Sequence, residues 1–564
     1  MNCLCVSSTR PNAVMRAEAK IRRGQKTPKR CRWFNGKTFI IFNEVMQYDF
    51  IIIGSGIGGL SAASLLAKEG FRILTLEASY VAGGCASSYI VKRNGQQFVF
   101  EAGATTIVGL DKHQPLYNLA HELNLDFPVV ELNPSMTIHL SGKRITRFKD
   151  KDKWISECYK KFFEGTSVSF RNVRRFWRLV FHLSDFVWKV SERNRAFPPK
   201  SFRDLLELWE QNRLADFPKL LFLFRSTYDV IRQYGLDASD DFIRFCNEQL
   251  MITAQATVKE VAFLYAAPCL SYTNSSNYYA YGGMIKLAET ILNKYTELGG
   301  EILYREPVKL IERAGDGGFK VTTETGKVFY ARNIVSNATI WNMAYMTKGR
   351  ISQYFQHLSR KFKFGWGAFT MSLAVKNTLP DDLTLHHQFI LNEKIPLCNS
   401  DSFFVSLSMP DDVERQPKGT RLLAISTHTH VERWIQPNPN YDAEKQQVAD
   451  FILCELEKRL DGFKKEHIIF KNVSTPKSWQ DWTYRRFGRV GGIPNTMARK
   501  VWELVGSETP FKGLYLVGDT VYPGQGIAGV CLSGQNAVYR ILQHVKRPFQ
   551  PHLQVATLNE SLEK

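Results

Sequence analysis

Patterned sequence begins at residue 48 with an alternation of strand, glycine-rich turn and helix. Residues 50–53 form an apolar run with isoleucine at three of its four positions, which reads as a strand buried on both faces. Between Gly59 and Glu69 apolar residues recur at helical spacing, and 72–76 reads as a second strand. A helix between two such strands is the crossover that parallel pairing requires. From 150 to 272 the texture changes to helices dense in Phe, Trp, Leu and Arg. A helix is predicted over 282–298, ended by Gly299 and Gly300, then a strand over 301–313. A hairpin follows over 319–330, turned at Gly326, with a short strand at 333–336. Strand-like runs at 368–375, 403–408 and 422–426 share the next stretch with one clear helix, 443–460. The last unit, 513–517 then 526–545, is again strand, glycine turn and helix.

Glycine-turn units at both ends, with aromatic material between them, predict a discontinuous nucleotide domain. Its parts are 46–130, 276–345 and 505–546, and a substrate domain takes 131–275 and 346–504. Residues 1–45 form a basic leader and 547–564 a tail. A length of 564 residues fits more than one domain. Net charge is +20, but ten basic residues against Glu18 and Glu44 place +8 of it in the leader. No nucleic-acid-binding motif accompanies the excess, so nucleic acid is not an expected partner. The leader is basic and acid-poor, as an organellar transit peptide is, and it lacks the apolar core of a secretory signal. The competing reading is a disordered tail, or a start at Met46. Ten scattered cysteines include no Cys-x-x-Cys pair, which predicts free thiols and no zinc site. The uncharged run 50–67 is long enough to raise a membrane span, but its glycines and serines break it into strand, turn and helix.

Gly54, Ser55, Gly56, Ile57, Gly58 and Gly59 fit G-x-G-x-x-G directly after a strand and before a helix. In that motif the first glycine permits a tight turn, the second lets backbone approach a pyrophosphate, and the third permits close helix–strand packing. The helix N-terminus then offers unpaired N–H groups and partial positive charge to phosphate. Glu77, eighteen residues beyond Gly59, stands where a carboxylate accepts ribose hydroxyls, and it disfavours a 2′-phosphate. No second G-x-G-x-x-G lies between a strand and a helix, and 315–318 reads as a hairpin turn. One dinucleotide site argues against direct reduction by a nicotinamide.

Gly83 and Gly84 follow the acid, with Cys85 and Ala86 next, and the chain here resembles the glutathione-reductase-type flavoproteins. LYLVGD at 514–519 resembles the second flavin motif of that class. The resemblance implies an α/β fold with a discontinuous Rossmann FAD-binding domain, beside an α+β substrate domain with a helical, aromatic-rich, membrane-facing part. It implies FAD held by the first fingerprint, by Glu77, Ala78, Gly83, Gly84, Cys85 and Ala86, and by Gly518, Asp519, Gly526, Ile527 and Ala528. FVFEAGATT at 98–106, YGGM at 281–284, RVGG at 489–492 and PGQG at 523–526 resemble the bacterial-type phytoene desaturases and carotenoid isomerases. Within that family the chain is most similar to carotenoid C-3′,4′ desaturases. This implies non-covalent FAD, a long conjugated C40 polyene, a peripheral membrane surface as partner, and quinone or oxygen as electron acceptor. It also places Val308 against the adenine. Three functions follow: a carotenoid desaturase passing hydride to the flavin, a cis–trans isomerase using reduced flavin, and a flavin-free lipid-binding escort protein. The Gly518–Asp519 unit argues against the last.

The pattern at 171–190 puts Arg171, Arg174, Arg175 and Arg178 on one face, opposite Val173, Phe176, Leu179, Val180, Leu183, Phe186 and Val187. Two readings fit, a helix lying in a membrane interface and a surface helix packed on its own domain. Leu220–Phe224, Tyr228 and Ile231 read as tunnel lining or core. His139, His386 and His387 read as structural or exposed groups, and no residue pattern identifies a catalytic base.

Overall fold

A computed structural model describes residues 33–34, 37–38, 47–212, 216–315 and 317–545. The remainder of the leader and the tail 547–564 lie outside the described residues. Two seven-stranded sheets organise the molecule. In the first, Glu301–Leu303, Ile73–Leu76, Tyr48–Ile53, the second half of Val328–Ser336 and Leu514–Leu516 run parallel in that spatial order. Helix Ile57–Lys68 packs on this sheet and against helix Ile527–His544. The first half of Val328–Ser336 continues into an antiparallel meander with Phe319–Thr323 and Val308–Arg313. The strand predicted over 301–313 is therefore two strands in different parts of the sheet. Arg305 turns the chain at φ +56°, and Pro307 has no N–H to extend the ladder.

In the second sheet the order is Ile468–Ser474, Trp366–Lys376, Thr420–His430, Ser402–Leu407, His386–Ile390, Met136–Leu140 and Lys143–Arg147. All its pairs are antiparallel except that of His386–Ile390 with Met136–Leu140. One face, carrying Phe369, Met371, Leu373, Phe403, Val405 and Ile425, is buried in one cluster with Val448, Ile452 and Leu456 of helix Tyr441–Arg459. The other face looks toward the helical layer of residues 150–272. There Trp154, Phe176, Trp177, Phe242 and Phe245 form an aromatic core around the fully buried Arg147. The Arg147 guanidinium lies 4.1 Å from the Trp154 ring centroid and donates to Leu270 O at 2.7 Å.

Helix Phe170–Arg193 overturns the membrane-interface reading of 171–190. Val173, Phe176, Trp177, Val180, Leu183 and Phe186 are buried in the aromatic core, while Arg171, Arg174, Arg175 and Arg178 face solvent. Most of its apolar stripe packs into the cluster shared with helices Phe263–Ser271 and Asp240–Ala254. Exposed apolar surface lies instead on helix Phe202–Gln211, at Phe202, Leu205, Leu206 and Trp209, and at Leu221 and Phe224. Leu220 and Leu223 line the central cavity, whereas Ile231 is core. Among the described residues no helix is long and apolar enough to cross a membrane. The described cysteines are all free thiols, and no cluster of side chains suited to a metal ion occurs among the described residues.

Candidate active site

One continuous cavity of about 1280 Å³ runs from the carboxyl ends of the parallel strands to the open face of the second sheet. It exceeds the roughly 300–1,000 Å³ typical of a single-ligand pocket. At the parallel-sheet end Gly54, Gly56, Ile57 and Gly58 form the wall with Glu77, Ala78, Gly83, Gly84, Cys85 and Ala86. Val308, Gly518, Asp519, Gly526, Ile527 and Ala528 complete it. Ser55 and Gly59 stand behind that wall. Ser55 donates from both N and Oγ to Glu77 Oε2, at 2.7 and 2.6 Å, and Ser79 N donates to Oε1 at 2.7 Å. A carboxylate offers about four acceptor positions, so Glu77 is fixed in place with capacity left for hydroxyls.

Close approach explains the glycines. A Cβ on Gly59 would lie 2.2 Å from Gly54 O, so the helix can sit against the turn only without a side chain. Gly54 itself takes φ +89°. A Cβ on Gly56 would meet Asn337 Nδ2 at 2.6 Å. Helices Ile57–Lys68 and Ile527–His544 both begin at the cavity wall with no side-chain cap and no acidic residue in the first turn. Their leading N–H groups and positive dipole ends are therefore free for anionic groups. This donor set, with a ribose-type acid between two glycine turns, fits an extended dinucleotide.

Sequence reasoning missed Asn337 and Arg485. Asn337 follows the carboxyl end of strand Val328–Ser336, a position that the strand-end rule for α/β sheets would have flagged. Arg485 has no such signal. Its guanidinium pairs with Asp519 Oδ2 at 2.5 Å, and its Nε donates to Arg489 O at 2.8 Å. Burial opposes the Arg485 charge, and Asp519 more than offsets this, so its pKa is raised. Burial pushes the Cys85 thiol up as well, which keeps it neutral on the cavity wall.

The far end has a different character. Its roof is apolar, with Phe186, Val187, Leu220, Leu223, Leu264 and Tyr265, and its floor is the open sheet face. Thr370, Ser426, Phe404 and Gln388 lie directly across four adjacent strands, so their side chains share that face. His428, Ser402 and Ala368 extend the floor by one more row. His386 is buried beside it and hydrogen-bonds Ser406 Oγ at 2.9 Å, and Ser406 donates to Thr105 Oγ1 at 2.7 Å. His139 and His387 are buried on the opposite face, 3.1 Å apart, so none of the three is exposed. Burial lowers His139 and His386 to about 3, and His387 and His428 to about 4.

Residues 57–542 match the family of flavin containing amine oxidoreductases. A chloroplastic prolycopene isomerase of an Oncidium hybrid is 27% identical over 520 residues, covering 88% of this chain and 84% of that protein. A neurosporene-forming phytoene desaturase of Rhodobacter capsulatus is 22% identical over 522 residues, covering 89% and 95%. A solved oxidoreductase from Methanosarcina mazei superposes with a TM-score of 0.57 at 16% identity, covering 87% of this chain and 99% of that one. With the flavin fingerprint and the uncapped helices at one cavity, the match over most of the chain places this protein in the flavin containing amine oxidoreductase family.

Proposed function

We propose that the protein is an FAD-dependent carotenoid desaturase, introducing a double bond into a C40 polyene, with C-3′,4′ desaturation as the specific reaction. The observation that carries this reading is the continuity of the cavity, which joins the dinucleotide-type cradle to an apolar chamber. Its desaturase relative acts on such a polyene by name. The residues assigned to the cofactor are those of the cradle, with Glu77 toward the ribose, the two helix N-termini toward anionic groups, Asp519 toward the ribityl or pyrophosphate portion and Val308 beside the adenine. When bound, the flavin supplies a two-electron acceptor. The chain's own contribution is to align the polyene, exclude water with the apolar roof, and hold the Asp519 side chain in place through Arg485. Quinone or oxygen takes the electrons onward. Isomerisation is the second reading, favoured by prolycopene isomerases at 26–27% identity.

The partner surface is a membrane leaflet. Phe202, Leu205, Leu206 and Trp209 project from helix Phe202–Gln211, and the Trp209 ring packs at a tilt with its centroid 4.9 Å from that of Phe217, which begins the segment carrying Leu221 and Phe224. Neighbouring Phe197, Leu220 and Leu223 line the cavity, and Arg203 and Arg225 lie close to the patch in sequence, while Lys200 donates to Leu504 O and Lys219 pairs with Asp216. Cations around exposed aromatics suit anionic lipid, from which an apolar substrate enters. Organellar targeting by residues 1–45 accords with chloroplastic relatives.

The test is to purify the protein gently and incubate it with lycopene-like polyenes in liposomes. Flavin absorbance and a longer-wavelength product two hydrogens lighter support desaturation. An unchanged mass with altered geometry transfers the assignment to isomerisation, and a colourless protein defeats both. Leu205→Glu with Trp209→Glu should cut co-sedimentation with anionic vesicles about tenfold while flavin content stays constant.

A further inference from the structure

Desaturation releases a proton as well as a hydride, and the apolar roof offers nothing to take it. The floor does. We propose that Glu248, reached through the Ser402 hydroxyl, accepts the proton released from the polyene and passes it to solvent beside Asp401. This rests on the desaturase reading.

Ser402 lines the cavity, and its hydroxyl donates a short hydrogen bond to Glu248 Oε2 on helix Asp240–Ala254. Glu248 lies just outside the cavity, half-buried, with half-exposed Asp401 as its other carboxylate neighbour. Along the floor the side chains of Thr370, Ser426 and His428 make no hydrogen bonds among the described residues. Gln388, 1% exposed, uses its Oε1 to accept from Gln249 at 2.6 Å but leaves its amide nitrogen without a partner among the described residues. Unpaired polar groups cost free energy in an apolar chamber unless water or ligand meets them. A row of hydroxyl, imidazole and amide groups ending at a carboxylate is a path for a proton.

Burial pushes the Glu248 carboxyl up to about 7, against the Ser402 hydrogen bond and with the charge of Asp401 adding to the rise. Arg244 of the same helix opposes it, but its guanidinium is engaged with Leu391 O, Asn392 and Asp241. Such a group gains and loses a proton near neutrality. In the step, one C–H bond of the polyene breaks as a hydride, for which the bound cofactor would supply the two-electron acceptor. The adjacent C–H yields its proton to Ser402 Oγ as the Ser402 proton moves to Glu248. The bonding pair left behind becomes the new π bond, and the hydride's two electrons pass to quinone or oxygen.

The experiment is anaerobic stopped-flow reduction of the FAD-loaded protein by a polyene, with an infrared pH titration of the carboxyl bands. In wild type, flavin reduction should accelerate as pH rises through about 7. Glu248→Gln should slow it about 100-fold and flatten the profile. Asp401→Asn should move the midpoint down, because a like charge is removed. Ser402→Ala should slow reduction while the Glu248 infrared band still titrates. Glu248→Gln reducing flavin at the wild-type rate with the wild-type pH profile overturns the proposal alone. A wild-type protein that isomerises polyenes without net flavin reduction overturns the desaturase reading, and the proposal with it.

Discussion

The two sheets meet the same cavity in opposite ways. The parallel sheet presents the carboxyl ends of its strands, so its wall is made of backbone, glycines and helix N-termini. The antiparallel sheet presents a whole face, so its wall is made of side chains from four strands. At the first wall the two carboxylates are held within the protein, Glu77 by Ser55 and Ser79, and Asp519 by Arg485. At the second, several polar atoms have no protein partner among the described residues. Pre-organisation for a known, highly charged ligand belongs to the first. The second, under an apolar roof, offers hydroxyl, imidazole and amide groups from a sheet face.

The contrast predicts different failures at the two walls. Arg485→Gln should have the largest effect, because it leaves the Asp519 carboxylate largely buried without its cation. A loss of about 3–5 kcal/mol in urea unfolding is expected, largely recovered in Arg485→Gln with Asp519→Asn. If the double variant is no more stable than the single one, the pair is not what holds that wall.

The second wall should be the acid-labile one. His428 has a folded pKa of about 4 against an ordinary 6.5, so the unfolded chain binds the proton first. Its contribution is present above 6.5 and is lost as pH falls toward 4, at most about 3 kcal/mol. His139, His386 and His387 act in the same direction on the same sheet. His428→Phe should therefore flatten the stability profile between pH 6.5 and 4, measured by urea unfolding at each pH. An unchanged slope would assign the acid sensitivity elsewhere.

A smaller effect is expected at Gly59→Ala. The added Cβ meets backbone, which cannot rotate away, and overpacking of this kind costs about 1–3 kcal/mol. Unlike the histidine variant, it should also lower FAD retention, read by flavin fluorescence after gel filtration.

Much of the first wall was legible in sequence. A glycine fingerprint, an acid at the next strand end and a second glycine turn are local patterns whose spacing follows from strand and helix geometry. Ser55 and Gly59 belong to the same motif yet stand behind the cavity wall, because a motif specifies residue types and not which of them face the cavity. The helix over 170–193 shows the same limit. Its amphipathic stripe is equally suited to lipid and to a protein core, and only the packing of helices Asp240–Ala254 and Phe263–Ser271 decided between them.

The amino-acid sequence by itself determined the strand, glycine turn and helix at 54–59 and the acid at the next strand end, Glu77, since short-range backbone geometry dictates that pattern. Tertiary structure alone decided that Arg485 meets Asp519, that Ser402 meets Glu248, and that Thr370, Ser426 and Gln388 form one floor. Those groups lie far apart along the chain, and no local periodicity encodes which strands will pair to bring them together.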